Sequence, residues 1–192
     1  MMRMEISKSF YAKDRKAWRA WLSKNRKREK EIWLIYYKKS SGKPRIPYND
    51  AVDEALCFGW IDSTVKKIDE EKFAQRFTPR RPTSGLSHMN RERIRKLIVK
   101  GRMTKAGLDA VAHAFNPEKS IGPLIIPNGI LREIKKNPDA WAHFRKLPKS
   151  YVRIRIGYIT SQGRHSRDAF KKSLNNFIKI TAKGKRFGMV RD

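Results

Sequence analysis

The sequence predicts an α+β fold, in which a small antiparallel sheet is packed by helices and followed by a mainly helical C-terminal part. Two observations indicate this class. Apolar residues alternate with a period of two within residues 60–77, as in strands, and recur every three or four residues in most other segments, as in helices. Hydrophobic residues make up 39% of the 192 residues, which is enough for one buried core with or without a smaller appendage.

The first elements are a helix and a strand. Apolar residues spaced by one turn, among them Trp18, Trp21 and Leu22, predict an amphipathic helix over residues 14–25. Aromatic and β-branched residues then crowd into Ile32–Tyr37, which predicts a central strand. A loop with two prolines follows.

The stretch EALCFGWIDS predicts a junction between a helix and a strand. The helix is expected to be capped by Asn49 or Asp50 and to end at Gly59. The period of two begins at Trp60, and charged turn residues lead into a return strand that ends near Phe77. These segments predict an antiparallel hairpin.

A polar loop rich in Pro, Gly and Ser separates the hairpin from two further helices. Asn90 is expected to cap the first of them and Thr104 to start the second. Three prolines within residues 116–129 prevent a continuing helix. We therefore divide the chain into an α+β domain over residues 1–116 and a helical, basic region over residues 117–192.

The C-terminal region contains one ambiguous segment. Two short helices should be broken at Pro138, and a clear amphipathic helix should contain Phe170 and Phe177. Between them, residues 150–162 fit the spacing of either a strand or a helix. The sequence leaves this choice open.

The net charge of the chain indicates which kinds of partner to expect. The formal net charge is +28, with +10 in residues 1–50, −3 in residues 51–70, +8 in residues 71–117 and +13 in residues 118–192. Such a surface attracts nucleic acid, anionic lipid or a phosphorylated ligand, although a basic surface can also serve solubility alone. An anionic ligand or nucleic acid is the expected partner.

The numbers and positions of cysteine and histidine, and the short apolar runs, exclude several kinds of site and several classes of protein. A single cysteine rules out an internal disulfide framework, and the four scattered histidines form no metal motif. No glycine-rich nucleotide motif is present, so we expect neither a metal nor a cofactor. No apolar run has the length of a signal peptide or a membrane span, which predicts a cytoplasmic protein.

Four linked motifs lie within roughly residues 5–115. They are ALCFGWID at 55–62, RFTPR at 76–80, the step from Ser87 to Asn90 into a helix, and GRM at 101–103 followed by AG at 106–107.

Together these motifs resemble the bacteriocin-protection family, also called the YdeI/OmpD-associated family. The basic end of the chain, from His143, is a looser match. The resemblance implies protection against bacteriocins or antimicrobial peptides, without an established enzymatic reaction. Relatives usually have a second Trp before Ser87, where this chain has Leu86, so a pocket shaped by that Trp would be altered here.

Cys57 and Asp62 are the chemically interesting residues of the junction. Cys57 lies near a helix C-terminus beside acidic residues, where a thiolate is disfavoured, so we interpret it as a buried apolar residue and not as a nucleophile. Asp62 could orient Arg76 or Arg80 through a bidentate pair. It could equally form a structural salt bridge, and no second carboxylate is spaced for acid–base catalysis.

The polar loop concentrates hydrogen-bond donors ahead of a helix N-terminus. We predict an anion site formed by Arg80, Ser84, Ser87 and Asn90 and roofed by Trp60. The alternative is an ordered surface loop with ordinary helix capping. With Asp62 and Arg76, these residues are the candidate binding residues, and none is assigned a catalytic role.

Three functions are compatible with the sequence. The first is a non-enzymatic protection or stress protein that binds an anionic partner. The second is a nucleic-acid-binding protein that uses its overall basic surface. The third is a small-molecule enzyme with a pocket at Trp60, Asp62 and Arg80, for which the sequence offers no substrate.

Overall fold

The computed structural model describes residues 5–188 of the chain, apart from the side chain of Lys119. Strands and helices alternate in the first half, and the second half is helical, so the predicted α+β class is confirmed. The elements are β1 (Ser9–Tyr11), α1 (Arg15–Asn25), β2 (Ile32–Tyr37), α2 (Tyr48–Cys57), β3 (Trp60–Lys67), β4 (Lys72–Pro79), α3 (His88–Val99), α4 (Lys105–Asp109), α5 (Pro117–Ile121), α6 (Asn128–Lys135), α7 (Pro138–Phe144), α8 (Lys149–Gln162) and α9 (Arg167–Ala182).

The sheet has the strand order β1-β2-β4-β3. β3 and β4 form the predicted antiparallel hairpin, and β4 also pairs antiparallel with β2. β1, however, runs parallel to β2, so the sheet is mixed and not purely antiparallel. β1 was not predicted, because three residues are too short to establish a period of two.

Helix α2, which leads into β3, ends where the sequence predicted but does not begin where it predicted. Phe58 caps α2, and Gly59 follows in the left-handed region with φ of 77°, which lets Trp60 begin β3. The capping prediction was wrong, because α2 begins at Tyr48 and Pro47 occupies the N-cap position. The side chain of Asn49 instead accepts a hydrogen bond from Arg93 Nη2 (2.5 Å).

The chain folds into two compact units. Unit 1 runs to Leu86 and resumes over Arg93–Ser120, and unit 2 comprises Ser87–Glu92 and the chain from Ile121 onward. In unit 1, α1 and α2 pack on the β2 face that carries Ile32 and Leu34, and large aromatic side chains fill the core. The most deeply buried of these aromatic residues are Trp18, Tyr36, Trp60 and Phe77.

Unit 2 has a separate core formed by helices α6 to α9. Residues 150–162 lie in α8, which resolves the ambiguity in favour of a helix. Five apolar residues of α8 are buried and lie on more than one side of it, so no single helical face could be recognised. The break at Pro138 is confirmed, since Pro138 is the first residue of α7. The buried residues of α8 are Tyr151, Val152, Ile154, Ile156 and Ile159.

None of the helices in residues 5–188 has the length and apolar character needed to cross a lipid bilayer.

Candidate anion-binding site

Arg80 is a buried cation that binds backbone oxygens of its own loop. It follows β4, and its backbone N–H donates to Gly59 O (2.8 Å). Its guanidinium Nη2 donates to Ser84 O (3.2 Å) and Gly85 O (2.8 Å), and only 9% of the residue is exposed. Within the described residues it has no carboxylate partner, and its buried Nε has no acceptor. Burial lowers the pKa of Arg80, because the charged form loses hydration.

The hydroxyl of Ser84 is used within the same loop. Ser84 Oγ donates to Arg81 O (2.9 Å), and the backbone oxygen of Ser84 lies 2.9 Å from His113 Nε2. Both contacts hold the loop in one conformation. Arg80 and Ser84 therefore lie together in unit 1, as an ordered loop around a buried guanidinium.

Ser87 and Asn90 lie in unit 2, at the start of α3. The backbone N–H of Asn90 donates to Ser87 Oγ (3.1 Å), so Ser87 caps the helix. The prediction that Asn90 is the cap was wrong, since the helix begins at His88 and Asn90 lies in its first turn. The structure thus gathers the four predicted donors as two pairs, one in each unit.

Asp62 pairs with none of the arginines that the structure describes. Its Oδ2 accepts hydrogen bonds from Tyr48 Oη (2.7 Å) and from Gln75 Nε2 (3.3 Å). Arg76 pairs instead with Glu31, through Nε at 2.8 Å and also through Nη2. The expected pairing was therefore wrong for Arg76 and, within the described residues, for Arg80.

The register of the sheet explains this correction. Asp62 lies opposite Phe77, on the face that α1 and α2 cover, whereas Arg76 lies opposite Trp33 on the other face. Burial, together with the hydrogen bond to Asp62, raises the pKa of Tyr48 to about 12. Asp62 is thus a hydrogen-bonded carboxylate at the edge of the sheet.

Trp60 and Cys57 are part of the core. Trp60 is 1% exposed and packs edge-on against Trp21, with 5.9 Å between the ring centroids, so it has no surface from which to roof a ligand. Cys57 is fully buried, as predicted. Burial, with the nearby Glu54 carboxylate, raises the pKa of its thiol to about 11. A thiol that stays protonated at neutral pH is a poor nucleophile.

Sequence reasoning missed the cluster around Glu54. This fully buried carboxylate accepts hydrogen bonds from Arg15 Nε (2.5 Å), Arg19 Nη1 (2.6 Å) and Arg102 Nη2 (2.6 Å). Burial alone would raise the pKa of Glu54, but the hydrogen bonds from Arg15 and Arg19 outweigh it and hold the pKa below its ordinary value. One signal was available, since Arg15 and Arg19 are one turn apart and face the same point.

The lysines along α9 differ from the arginines around Glu54 in that they face solvent. Lys172 and Lys179 of α9 and Lys183 at its C-cap are exposed, and their spacing places them with Asn176 on one side of the helix. Within the described residues none of these three lysines forms an ion pair. We call these four residues the α9 stripe.

A second basic surface of unit 2 lies on α6. A cavity of about 490 Å³ is lined by Asn128 and Leu131 and by three cations, Arg132, Lys135 and Lys136. Of these cations Lys136 has an acidic partner, Glu133, at 2.8 Å. Across residues 5–188 no three His, Cys, Asp or Glu side chains are grouped to hold a metal ion.

Comparison with protein families gives a match over the first part of the chain. The family described as domain of unknown function (DUF8412) matches residues 10–110, which is more than half of the chain. The chain belongs to this family. The DUF8412 range contains Glu54 and its three arginines, whereas the α9 stripe lies beyond it. Neither a curated protein nor a solved structure matches the chain.

Proposed function

We propose that this DUF8412 protein is a non-enzymatic, cytoplasmic binder of polyanions, and that nucleic acid is its partner. The α9 stripe carries this proposal, because its lysines are exposed and have no ion-pair partner within the described residues. Unpaired surface cations attract phosphates without first breaking an ion pair.

The dimensions of the stripe suit a nucleic acid backbone. Lys172 and Lys183 are eleven positions apart, which corresponds to about 16 Å along a helix with a rise of about 1.5 Å per residue. Measured along the axis of a duplex, the phosphates of each strand follow one another about every 3.4 Å, so a stripe parallel to that axis spans about five of them. Contacts of this type position a protein without selecting a base sequence.

The residues that were candidates for catalysis give less support to an enzymatic function. Cys57 is buried with a raised pKa, and Asp62 is occupied by Tyr48 and Gln75. The protective role that the family resemblance implies remains a prediction. Binding of nucleic acid or of another anionic partner would be its molecular basis.

The proposal is tested by measuring binding at several salt concentrations. Fluorescence anisotropy of a labelled 20-nucleotide strand, and of the matching duplex, gives the association constant at each concentration of KCl. If about four to six phosphates are contacted, log K should fall linearly with log[KCl], with a slope of about −3 to −5. Absence of binding at low salt, or a slope near zero, would contradict the proposal.

A further inference from the structure

A second cavity of unit 2 has a strongly basic lining. Its volume is about 300 Å³, and it lies where α7 leads into α8 and where α9 ends. Lys146, Lys185 and Arg186 supply positive charge to it, and none of the described residues that line it is acidic. Lys146 and Lys185 form no ion pair within residues 5–188.

The end of α9 builds one wall of this cavity. Gly184 N donates to Thr181 O (2.9 Å) and Lys185 N donates to Ile180 O (3.2 Å), which is the Schellman pattern of helix termination. Gly184 has φ of 65°, and a Cβ atom on it would lie 3.1 Å from Nε2 of His143. The glycine therefore permits the turn that brings Lys185 to the cavity.

The segment after this turn is held against α8. The backbone N–H of Phe187 donates to Tyr151 Oη (3.1 Å), and the Arg186 guanidinium lies 5.9 Å from the centre of the Tyr151 ring. A cation over an aromatic face is attracted by the ring quadrupole. The two contacts fix the backbone that carries the basic residues.

Thr181 provides an independent observation. It lines the cavity and is 2% exposed, yet its hydroxyl makes no hydrogen bond within the described residues. By contrast, Thr160 Oγ1 donates to Ile156 O (2.9 Å), which is the usual partner for a threonine inside a helix. A hydroxyl that lines the cavity and has no partner among the described residues leaves Thr181 with a donor to offer to a bound ligand.

The N-terminus of α8 adds to the positive electrostatic potential at the cavity. Pro148 lines the cavity and occupies the N-cap position of this 14-residue helix, without a side-chain hydrogen bond to the first turn. Uncapped N–H groups and the positive end of the helix dipole stabilise anions. This contribution adds to the cations and to Thr181.

We propose that this cavity binds a phosphate dianion, either free phosphate or the terminal phosphomonoester of a larger ligand. Lys146, Lys185 and Arg186 would offset its charge, and Thr181 would donate to one oxygen. The volume exceeds that of phosphate alone, so part of an attached group also fits. The site is independent of the α9 stripe, because it would bind free phosphate even if unit 2 bound no nucleic acid.

Calorimetric titration with inorganic phosphate, in chloride buffer at low ionic strength, tests the site. Thr181→Val keeps the side-chain shape and removes the donor, and should weaken binding about tenfold. Lys146→Gln combined with Lys185→Gln should weaken it by at least about tenfold. The control, Arg167→Gln with Lys171→Gln, removes the same charge from exposed positions near the start of α9, outside both the cavity and the α9 stripe, and should change binding less than about twofold.

A second arm distinguishes the two sources of phosphate. A trinucleotide with a 5′-phosphate is compared with the same trinucleotide carrying a 5′-hydroxyl. A preference of about tenfold or more for the phosphorylated form, lost in Thr181→Val, assigns the cavity to a phosphomonoester terminus. Equal weak binding of both trinucleotides, with free phosphate bound, assigns it to free phosphate.

Two results would overturn the proposal. One is that Thr181→Val and the Lys146/Lys185 variant bind phosphate as the wild type does, while thermal unfolding shows that both are folded. The other is that the Arg167/Lys171 control loses as much affinity, which would show that diffuse charge and not the cavity attracts the anion.

Discussion

In unit 1 the arginines of α1 converge on a buried carboxylate, whereas in unit 2 the lysines of the α9 stripe face solvent and have no acidic partner among residues 5–188. Unit 1 contains 28 Lys or Arg and 13 Asp or Glu, and unit 2 contains 18 and 5. The ion pairs described in unit 2 join Lys136 to Glu133 and Arg153 to Glu92. Basic residues thus stabilise the fold in one unit and remain available for anions in the other.

The largest effect is expected at Glu54. Glu54→Gln leaves Arg15, Arg19 and Arg102 around a neutral, buried amide, so the free energy of unfolding should fall by about 2–3 kcal/mol. Chemical denaturation measures the change. The matched control is Glu133→Gln, which breaks an exposed pair in unit 2 and should cost less than about 0.5 kcal/mol. If the two substitutions lowered the free energy of unfolding equally, ion pairs would contribute to stability alike in the two units.

The same carboxylate predicts how stability depends on pH. Because the native pKa of Glu54 is held below its ordinary value, its contribution is complete above about pH 4.5 and is lost as the pH falls through the native pKa. Glu54→Gln should therefore flatten the loss of stability in acid. An unchanged acid profile would show that Glu54 is not a source of acid sensitivity.

A smaller effect is expected at the edge of the sheet, where Tyr48 and not an arginine binds Asp62. Ultraviolet titration should give Tyr48 a pKa of about 12, and Asp62→Asn should lower it part of the way toward 10. Since the native pKa is raised, the corresponding stability is present below about pH 10 and is lost as the pH rises toward 12. A Tyr48 pKa that Asp62→Asn leaves unchanged would contradict the hydrogen bond.

The smallest effect is expected at Cys57. Cys57→Ala should leave nucleic acid and phosphate binding unchanged and cost about 1 kcal/mol of stability, because it removes one buried sulfur atom. The wild-type thiol should react with a disulfide reagent only after unfolding, because it is buried and its pKa is about 11. Rapid reaction of the native protein would show that the thiol is accessible.

Local patterns predicted much of the fold. β2 was predicted with its observed bounds, and Gly59 ends α2 because a left-handed turn is needed there. The ambiguity of α8 arose because its buried residues lie on more than one side, which erases the usual periodicity. β1 was too short to recognise.

The candidate site was less predictable, because it depends on register and on long-range contacts. Asp62 and Arg76 lie on opposite faces of the sheet, and the pairing of β3 is shifted between Asp62 and Val65. Glu54 meets arginines that are distant from it in sequence, so the one-turn spacing of Arg15 and Arg19 does not show which carboxylate they contact. Which lysines lack partners likewise depends on the folded structure.

The most direct test of the account compares the salt dependence of nucleic acid binding in two triple variants. Lys172→Gln, Lys179→Gln and Lys183→Gln remove the lysines of the α9 stripe. Lys16→Gln, Lys24→Gln and Lys27→Gln remove the same charge from exposed positions of unit 1. We expect the slope of log K against log[KCl] to become less steep by about 2–3 in the first variant and by less than about 0.5 in the second. Equal changes in the two slopes would contradict it.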